Sequence, residues 1–484
     1  MKSEARRVAI IGGGITGLST AFHLHQQKNK GQLPLEFSLL ESEPRLGGKI
    51  KTLRHGAFLI EAGPDSFHIK GKSLLDLIQA AGLGHTLIRS NTGQAFVFAK
   101  DALYPIPAGM VMGVPTKLMP FLKSGLFSPA GKLRAALELL YKHNVAVDDE
   151  SVDSFFRRHF GSELVDRLIE PLFSAIYAES TERLSAHATM PHMVALQKSH
   201  QSLILGMRRS QAGPEQNKRA PRRDKTPGPF TSLDRGLESL VAAIEDLLPP
   251  SSVMRNTTVT RIQEIAGRYR LTLRGNDTLD VDAVVLTAPG ESAASLLGMP
   301  ASFSPLQESP PASVANVVLA FRQDAIKIHN PGTGFIVPRN AGCAITACTW
   351  SHLKWPHTTP KGYALLRCYV GRPGDDAIVN ADDHLIVQTV LHDLKRVMAI
   401  NDAPEFHVVT RWRNAMPRYA VGHLVHMAKL TESVATRFPG VVLAGASYGG
   451  IGLSECVRQG EDAAHATLAH IFARPSLLKK SRQC

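Results

Sequence analysis

The chain has 484 residues, 44% of them hydrophobic, and carries a formal charge of +13 and five cysteines. That length and apolar content exclude a disordered chain and a single small core, and point to two or three domains. The cysteines are few, odd in number and not spaced as ligand pairs, which excludes a disulfide framework or a structural metal site and fits a reducing, cytoplasmic setting.

Lys2, Arg6 and Arg7 run straight into an apolar strand, so no signal-type apolar core is expected ahead of it. Val8 to Ile11 is a short continuous apolar run, as expected of a parallel strand buried on both faces. The turn Gly12-Gly13-Gly14-Ile15-Thr16-Gly17 follows. Gly12 lets the chain turn sharply, Gly14 lets backbone approach a pyrophosphate, and Gly17 lets the next helix pack close, with its N-terminus facing the phosphate charge. A second strand, carried by Leu33, Leu35, Phe37 and Leu39, ends at Glu41, where a carboxylate can accept hydrogen bonds from an adenosine ribose. This order of elements describes a dinucleotide site. Arg45-Leu46-Gly47-Gly48-Lys49 and then Gly63-Pro64-Asp65-Ser66 resemble the extended fingerprint of flavin-dependent oxidases, which favours FAD over NAD.

Residues 72–207 read as mostly helical, and the apolar segment from Tyr104 to Phe127 is broken by Pro105, Pro107, Pro115 and Pro120. Those prolines exclude a continuous spanning helix; the segment is expected to line a core or to rest on a membrane surface. Between Arg208 and Pro229 seven basic residues face two acidic ones with almost nothing apolar, which reads as a linker or surface loop. Nucleic-acid binding is not expected, because no aromatic interleaving accompanies this charge. Helical spacing from Leu233 to Leu248, a strand at Val259, a hairpin near Tyr269 and the run from Asp282 to Pro289, read as a buried strand ending in a turn, bring nucleotide-fold elements back late in the sequence. Several strand-like runs then follow between residues 305 and 425, including Ser313 to Phe321, Ala344 to Trp350 and Tyr363 to Val370, as expected of a mixed sheet walling a substrate cavity. Finally, Val441 to Ala446 and Gly449-Gly450-Ile451-Gly452-Leu453 give a strand, a turn and a helix whose N-terminal dipole would suit negative charge on a flavin.

The expected fold class is α/β: a Rossmann-like FAD-binding domain split in sequence (1–71, 230–304 and 426–473), a mostly helical insert at 72–207, a basic linker at 208–229, a mixed-sheet substrate domain at 305–425, and a basic tail at 474–484.

The runs Gly63 to Phe67, Pro107 to Lys117, Ile169 to Ala178, Ser202 to Met207 and Ala344 to Trp350 closely resemble the bacterial oxygen-dependent coproporphyrinogen III and protoporphyrinogen oxidases of the flavin-containing amine oxidase superfamily. The resemblance implies that FAD removes six electrons from a porphyrinogen and that oxygen receives them as hydrogen peroxide. It carries over Gly12, Gly13, Gly14, Ile15, Thr16, Gly17, Glu41, Ser42, Lys49, Gly63, Pro64, Asp65, Ser66, Val259, Trp412, Ile451, Gly452 and Leu453 as cofactor-binding positions. The turn departs from the family's usual run at Tyr448 and Gly449. Coproporphyrinogen carries four propionates and protoporphyrinogen two, so cations would discriminate them by direct pairing; Lys72 is the first candidate, with Lys70, Lys117 and Arg208 behind it, each otherwise a solvated surface charge. No catalytic base is assigned, since nothing in the spacing of the 20 histidines selects one. Oxidation of coproporphyrinogen III is the first expectation, with oxidation of protoporphyrinogen IX or a low-turnover flavin-binding role in the haem pathway as alternatives. A transient contact with a membrane surface or another haem-pathway enzyme would suit the net positive charge.

Overall fold

A computed structural model describes residues 5–69, 71–140, 148–200, 202–211, 230–299, 311–328, 330–372, 374–375 and 377–472. Lys70, the basic segment beyond Gln211 and the tail lie outside the described residues.

A parallel sheet of five strands forms the centre, in the order Val253–Met254, Leu35–Leu40, Arg6–Ile11, Ala283–Leu286, Val441–Leu443. Val8 stands opposite Phe37 on one side and Ala283 on the other, and Val284 opposite Val441. Val8–Ile11 and Ala283–Leu286 are buried on both faces, which is why they read as continuous apolar runs, whereas Leu35–Leu40, with Glu36 exposed, alternates. Val8, Ile10, Phe37 and Leu39 join one core with the helices Ile15–Gly31 and Leu453–Phe472, while Ala9, Ile11, Leu40 and Val284 join another beneath the antiparallel strands Val259–Ile265, Arg268–Leu273 and Thr278–Val281. The two helices lie in close contact: Ser19 Oγ donates to the Val457 carbonyl at 2.8 Å and Thr20 Oγ1 to the Gly460 carbonyl at 3.1 Å. A Cβ on Gly460 would sit 2.5 Å from the Thr16 carbonyl, so that close approach requires glycine. The parallel sheet thus draws strands from three distant stretches of chain, as the split Rossmann-like reading requires.

A second sheet has seven strands in the order Phe406–Met416, Ala312–Arg322, Tyr363–Val370, Ile345–Trp350, Gly334–Ile336, Phe96–Ala99, Ala102–Pro105. It is mixed, because Gly334–Ile336 pairs in parallel with Phe96–Ala99 while its other neighbours are antiparallel. The hairpin 96–105 comes from the stretch read as helical; Phe96-Val97-Phe98 is a short apolar run whose periodicity does not separate strand from helix. The rest of that stretch is chiefly helical and packs Phe155, Phe156, Phe160 and Phe173 into a third core. The Tyr104–Phe127 segment resolves into the end of that hairpin, a small ladder of Met110–Val111 against Val114–Pro115, and the helix Leu118–Lys123, with Phe121 and Leu126 buried in the same core. Among the described residues no helix is long and apolar enough to cross a membrane.

Candidate FAD and substrate site

One cavity of about 1240 Å³ runs from the tip of the parallel sheet to the face of the mixed sheet. At the nucleotide end, Gly12 turns the chain with φ +108°, and Gly14 is the N-cap of the helix Ile15–Gly31 without any side chain across the helix end. A Cβ on Gly14 would meet nothing within 4 Å and would project into open space at the cavity wall, as expected of a backbone cradle for phosphate. Gly13 N–H donates to Glu41 Oε2 at 2.6 Å, and Glu43 N–H to Oε1 at 2.9 Å, which fixes the carboxylate beside the cradle. The diglycine closes the other side: Gly47 N–H donates to the Gly13 carbonyl at 2.8 Å, and Gly47 and Gly48 have φ of +98° and +56°.

Beyond the cradle the wall is built by residues 62–66 and the mixed sheet. Asp65, within this loop, is largely buried, its side chain 12% exposed. Its carboxylate accepts from Ser66 Oγ at 2.7 Å, Lys354 Nζ at 2.9 Å and Trp355 Nε1 at 3.2 Å, and lies 3.1 Å from Arg367 NH1. Burial alone would raise its pKa; Lys354 and Arg367 together hold it well below the usual carboxylate range. Arg367 NH2 also donates to the Gly63 carbonyl at 2.6 Å, and Trp412 Nε1 to the Ala62 carbonyl at 2.9 Å. Glu61 ends the strand leading into the loop; it accepts from Leu237 N–H at 2.7 Å and Thr52 Oγ1 at 2.9 Å. Burial pushes its carboxyl up to about 7 in spite of these donors. Across the cavity, Ser174, Ala175, Ile176 and Ala178 contribute from the helix Glu170–Tyr177, which follows a π-helical turn at Val165–Ile169.

Every carried-over cofactor position lines this cavity except Gly13 and Gly17. Gly13 acts through its bond to Glu41, and Gly17 through packing, since a Cβ there would lie 2.0 Å from the Gly12 carbonyl. The donor set, open cradle and glycine contacts fit a dinucleotide. Tyr448 and Gly449, where the turn departs from the family run, are off the wall, and Tyr448 Oη donates instead to the Ala288 carbonyl at 3.2 Å. The basic candidates fare differently. Lys72 is exposed at the N-terminus of the helix Ser73–Ala80, Lys117 is exposed, and Arg208 Nε donates to the Thr116 carbonyl at 2.5 Å. None of these three lines the cavity; among the described residues the only cationic side chain that does is Lys49, whose pKa burial lowers. Sequence reasoning missed Lys354 and Arg367 as partners of Asp65, and Asn316, Thr346 and Tyr369 as wall residues. The polar interruption Asn316 in the apolar run Val314 to Phe321 was the available signal.

A Rossmann-like sheet with a glycine cradle, opened toward a mixed sheet and a helical insert, defines a flavin-dependent oxidoreductase. Residues 15–468 match the flavin containing amine oxidoreductase family. The chain is 43% identical over 474 residues to coproporphyrinogen III oxidase of Bacillus subtilis, covering 98% of this chain and 100% of the relative, and 37% identical to that of Staphylococcus aureus, covering 96% and 100%. A solved structure from Exiguobacterium sp. 255-15 described as a protoporphyrinogen oxidase superposes with a TM-score of 0.84 at 37% identity, covering 96% of this chain and 99% of that one. The chain therefore belongs to the flavin containing amine oxidoreductase family, in its coproporphyrinogen and protoporphyrinogen oxidase branch, and its cofactor is FAD.

Proposed function

We propose that the protein oxidises coproporphyrinogen III to coproporphyrin III in haem biosynthesis, with molecular oxygen as the final acceptor and hydrogen peroxide as the by-product. The observation that carries this reading is the single cavity in which a dinucleotide cradle continues into a second compartment, at about 1240 Å³ larger than a drug-sized ligand alone needs. The relatives matched over their full length favour the four-propionate substrate. Bound FAD supplies hydride acceptance.

The chain's own residues bind, orient and exclude water. Gly12, Gly14 and Glu41 take the phosphate and ribose end, Lys49 and Gly63 to Ser66 take the isoalloxazine end, and Trp412 braces the Ala62 carbonyl. Val259 and Ile451 to Leu453 complete the cofactor side, with the helix Leu453–Phe472 aiming its N-terminus at the cavity. The helix carrying Ser174 to Ala178 and the sheet face carrying Val314 and Tyr369 clamp the macrocycle so that a meso carbon can face the flavin. No base is required within this scheme, because the protons lost from pyrrole nitrogen are exchangeable with water. The described cysteines are all buried free thiols, in keeping with a cytoplasmic setting.

The second reading, protoporphyrinogen IX oxidation, is favoured by the Exiguobacterium structure and by the absence of Lys72, Lys117 and Arg208 from the described wall. Purified yellow protein is given each porphyrinogen in air, and porphyrin fluorescence is followed together with peroxide. Faster turnover of coproporphyrinogen III is expected. Equal or reversed preference favours the second reading, and no turnover of either refutes both.

A further inference from the structure

From Val314 to Phe321 the strand Ala312–Arg322 alternates. Ala315, Val317, Leu319 and Phe321 pack into the core beneath the helix Asp383–Met398, while Val314 and Asn316 face the cavity. Neighbouring strands agree, since Asn316 stands opposite Tyr369 and Val314 opposite Trp412, and both partners also line the cavity. Asn316 is 2% exposed and is the polar residue within the apolar run Val314 to Phe321. Its amide nitrogen is committed, because Nδ2 donates to the Glu61 and Ala62 carbonyls, each at 3.1 Å. Those two acceptors fix which end of the amide is which, leaving Oδ1 as the acceptor. Oδ1 is buried and has no hydrogen-bond partner among the described residues. A buried acceptor held at a cavity wall by its own amide group is matched by an N–H donor on what enters the cavity.

We propose that Asn316 Oδ1 accepts a hydrogen bond from a pyrrole N–H of the bound porphyrinogen and thereby distinguishes substrate from product. This deepens the functional reading above and rests on it. A porphyrinogen presents four pyrrole N–H groups; complete oxidation removes four hydrogens from the meso carbons and two from nitrogen, so the porphyrin retains two N–H groups and two bare nitrogens. The pyrroles of a porphyrinogen can tilt to point an N–H at the wall, whereas the two N–H groups of the planar porphyrin lie in the ring plane and point at its centre, so an acceptor at the wall favours the macrocycle entering over the one leaving, and an amide, being no base at neutral pH, holds the N–H without competing for the proton.

The test uses the flavin-loaded full chain with Asn316→Leu and Asn316→Asp. Both remove the amide donors to the Glu61 and Ala62 carbonyls; Asn316→Asp keeps an acceptor where Asn316→Leu keeps none, and when protonated it also restores one of the two donors. The readouts are KM and kcat on coproporphyrinogen III, the Kd of coproporphyrin III by fluorescence titration, and the flavin midpoint potential. In Asn316→Leu, KM is expected to rise about tenfold, the loss of a buried hydrogen bond with one partner left unmet. The product Kd should change less than about threefold and the potential should stay in place, and Asn316→Asp should recover most of the KM. Equal weakening of substrate and product, no change in KM, or a shift in potential with KM intact, which would make the flavin's own N–H the donor, would each overturn the inference. A wild-type protein that turns over no porphyrinogen would instead refute the functional reading itself.

Discussion

Asp65 carries one negative charge between two buried cations, and replacing it with Asn tests whether that charge holds the loop 62–66. Lys354 is 6% exposed and Arg367 1% exposed, with the carboxylate 2.9 Å and 3.1 Å from them. At an effective dielectric near 20, each contact at this distance is worth about 5 kcal/mol in Coulomb attraction, most of which offsets the desolvation of the charges. Removing one member of such a buried set destabilises by about 3–5 kcal/mol, because the remaining charges are left uncompensated. Asparagine still accepts from Ser66 Oγ or Trp355 Nε1, so the lower end, about 3 kcal/mol, is expected for Asp65→Asn. With an unfolding entropy of about 2.1 cal/mol/K per residue over the chain, that corresponds to about 3 °C in Tm. The Lys354→Met variant should lose less, about 1 kcal/mol, since Asp65 and Arg367 then pair one to one. Scanning calorimetry of both single variants and the double variant closes the cycle. The double variant should be more stable than the sum of the singles by about 2 kcal/mol, because it removes one of the stranded cations. Simple additivity, or a Lys354→Met variant as damaged as Asp65→Asn, would refute the charge argument and reduce the cluster to packing.

Other consequences follow from the same geometry. Gly17→Ala would put a Cβ 2.0 Å from the Gly12 carbonyl, so the first helix must shift off the cradle, and purified protein should retain FAD at least about tenfold more weakly by flavin absorbance after dilution. Glu41→Gln keeps the acceptor for Gly13 N–H but loses the charge, and should weaken FAD binding about tenfold in a titration of the apoprotein. Glu61 titrates near 7 in the fold against 4.5 ordinarily; between those values the unfolded chain is ionised while the folded one holds the proton, so stability falls as pH rises, by up to about 3 kcal/mol. Glu61→Gln should flatten that decline in thermal melts taken from pH 5 to 8, and an unchanged slope would mean that another group is responsible.

The nucleotide end of the site was legible because each of its residues does its work through local chain geometry. Gly12, Gly14 and Gly17 sit in one turn, and Glu41 ends the strand beside it, so spacing alone brought them together. The same holds for the continuous apolar runs, whose lack of alternation already implied a sheet covered on both faces. The substrate end was legible only in outline. Lys354 and Arg367 reach Asp65 from some three hundred residues away, and nothing local in Ser351-His352-Leu353-Lys354 separates a buried ion-pair partner from a solvated lysine. Lys72 shows the converse: adjacency in sequence to residues 63–66 does not place it on the described wall, because the chain turns at Gly71, with φ +69°, and leaves Lys72 exposed as the N-cap of the helix Ser73–Ala80. The hairpin 96–105 was hidden for a third reason, since its first strand, paired locally with Ala102–Pro105, finds its other partner only across the fold, at Gly334–Ile336.

The short stretch 61–66 is where these separate origins meet. Its backbone carbonyls at Glu61, Ala62 and Gly63 are taken by Asn316, Trp412 and Arg367, one side chain from each of three adjacent strands of the mixed sheet. Its side chains at Glu61 and Asp65 are anchored to the helix start at Leu237 and to Lys354. A loop that follows the first strands of the chain in sequence is therefore positioned mainly by the mixed sheet. The register of three adjacent strands fixes the three donors together, so a change that slides one strand by a residue would turn its donor to the opposite face and release the loop on which both halves of the cavity depend.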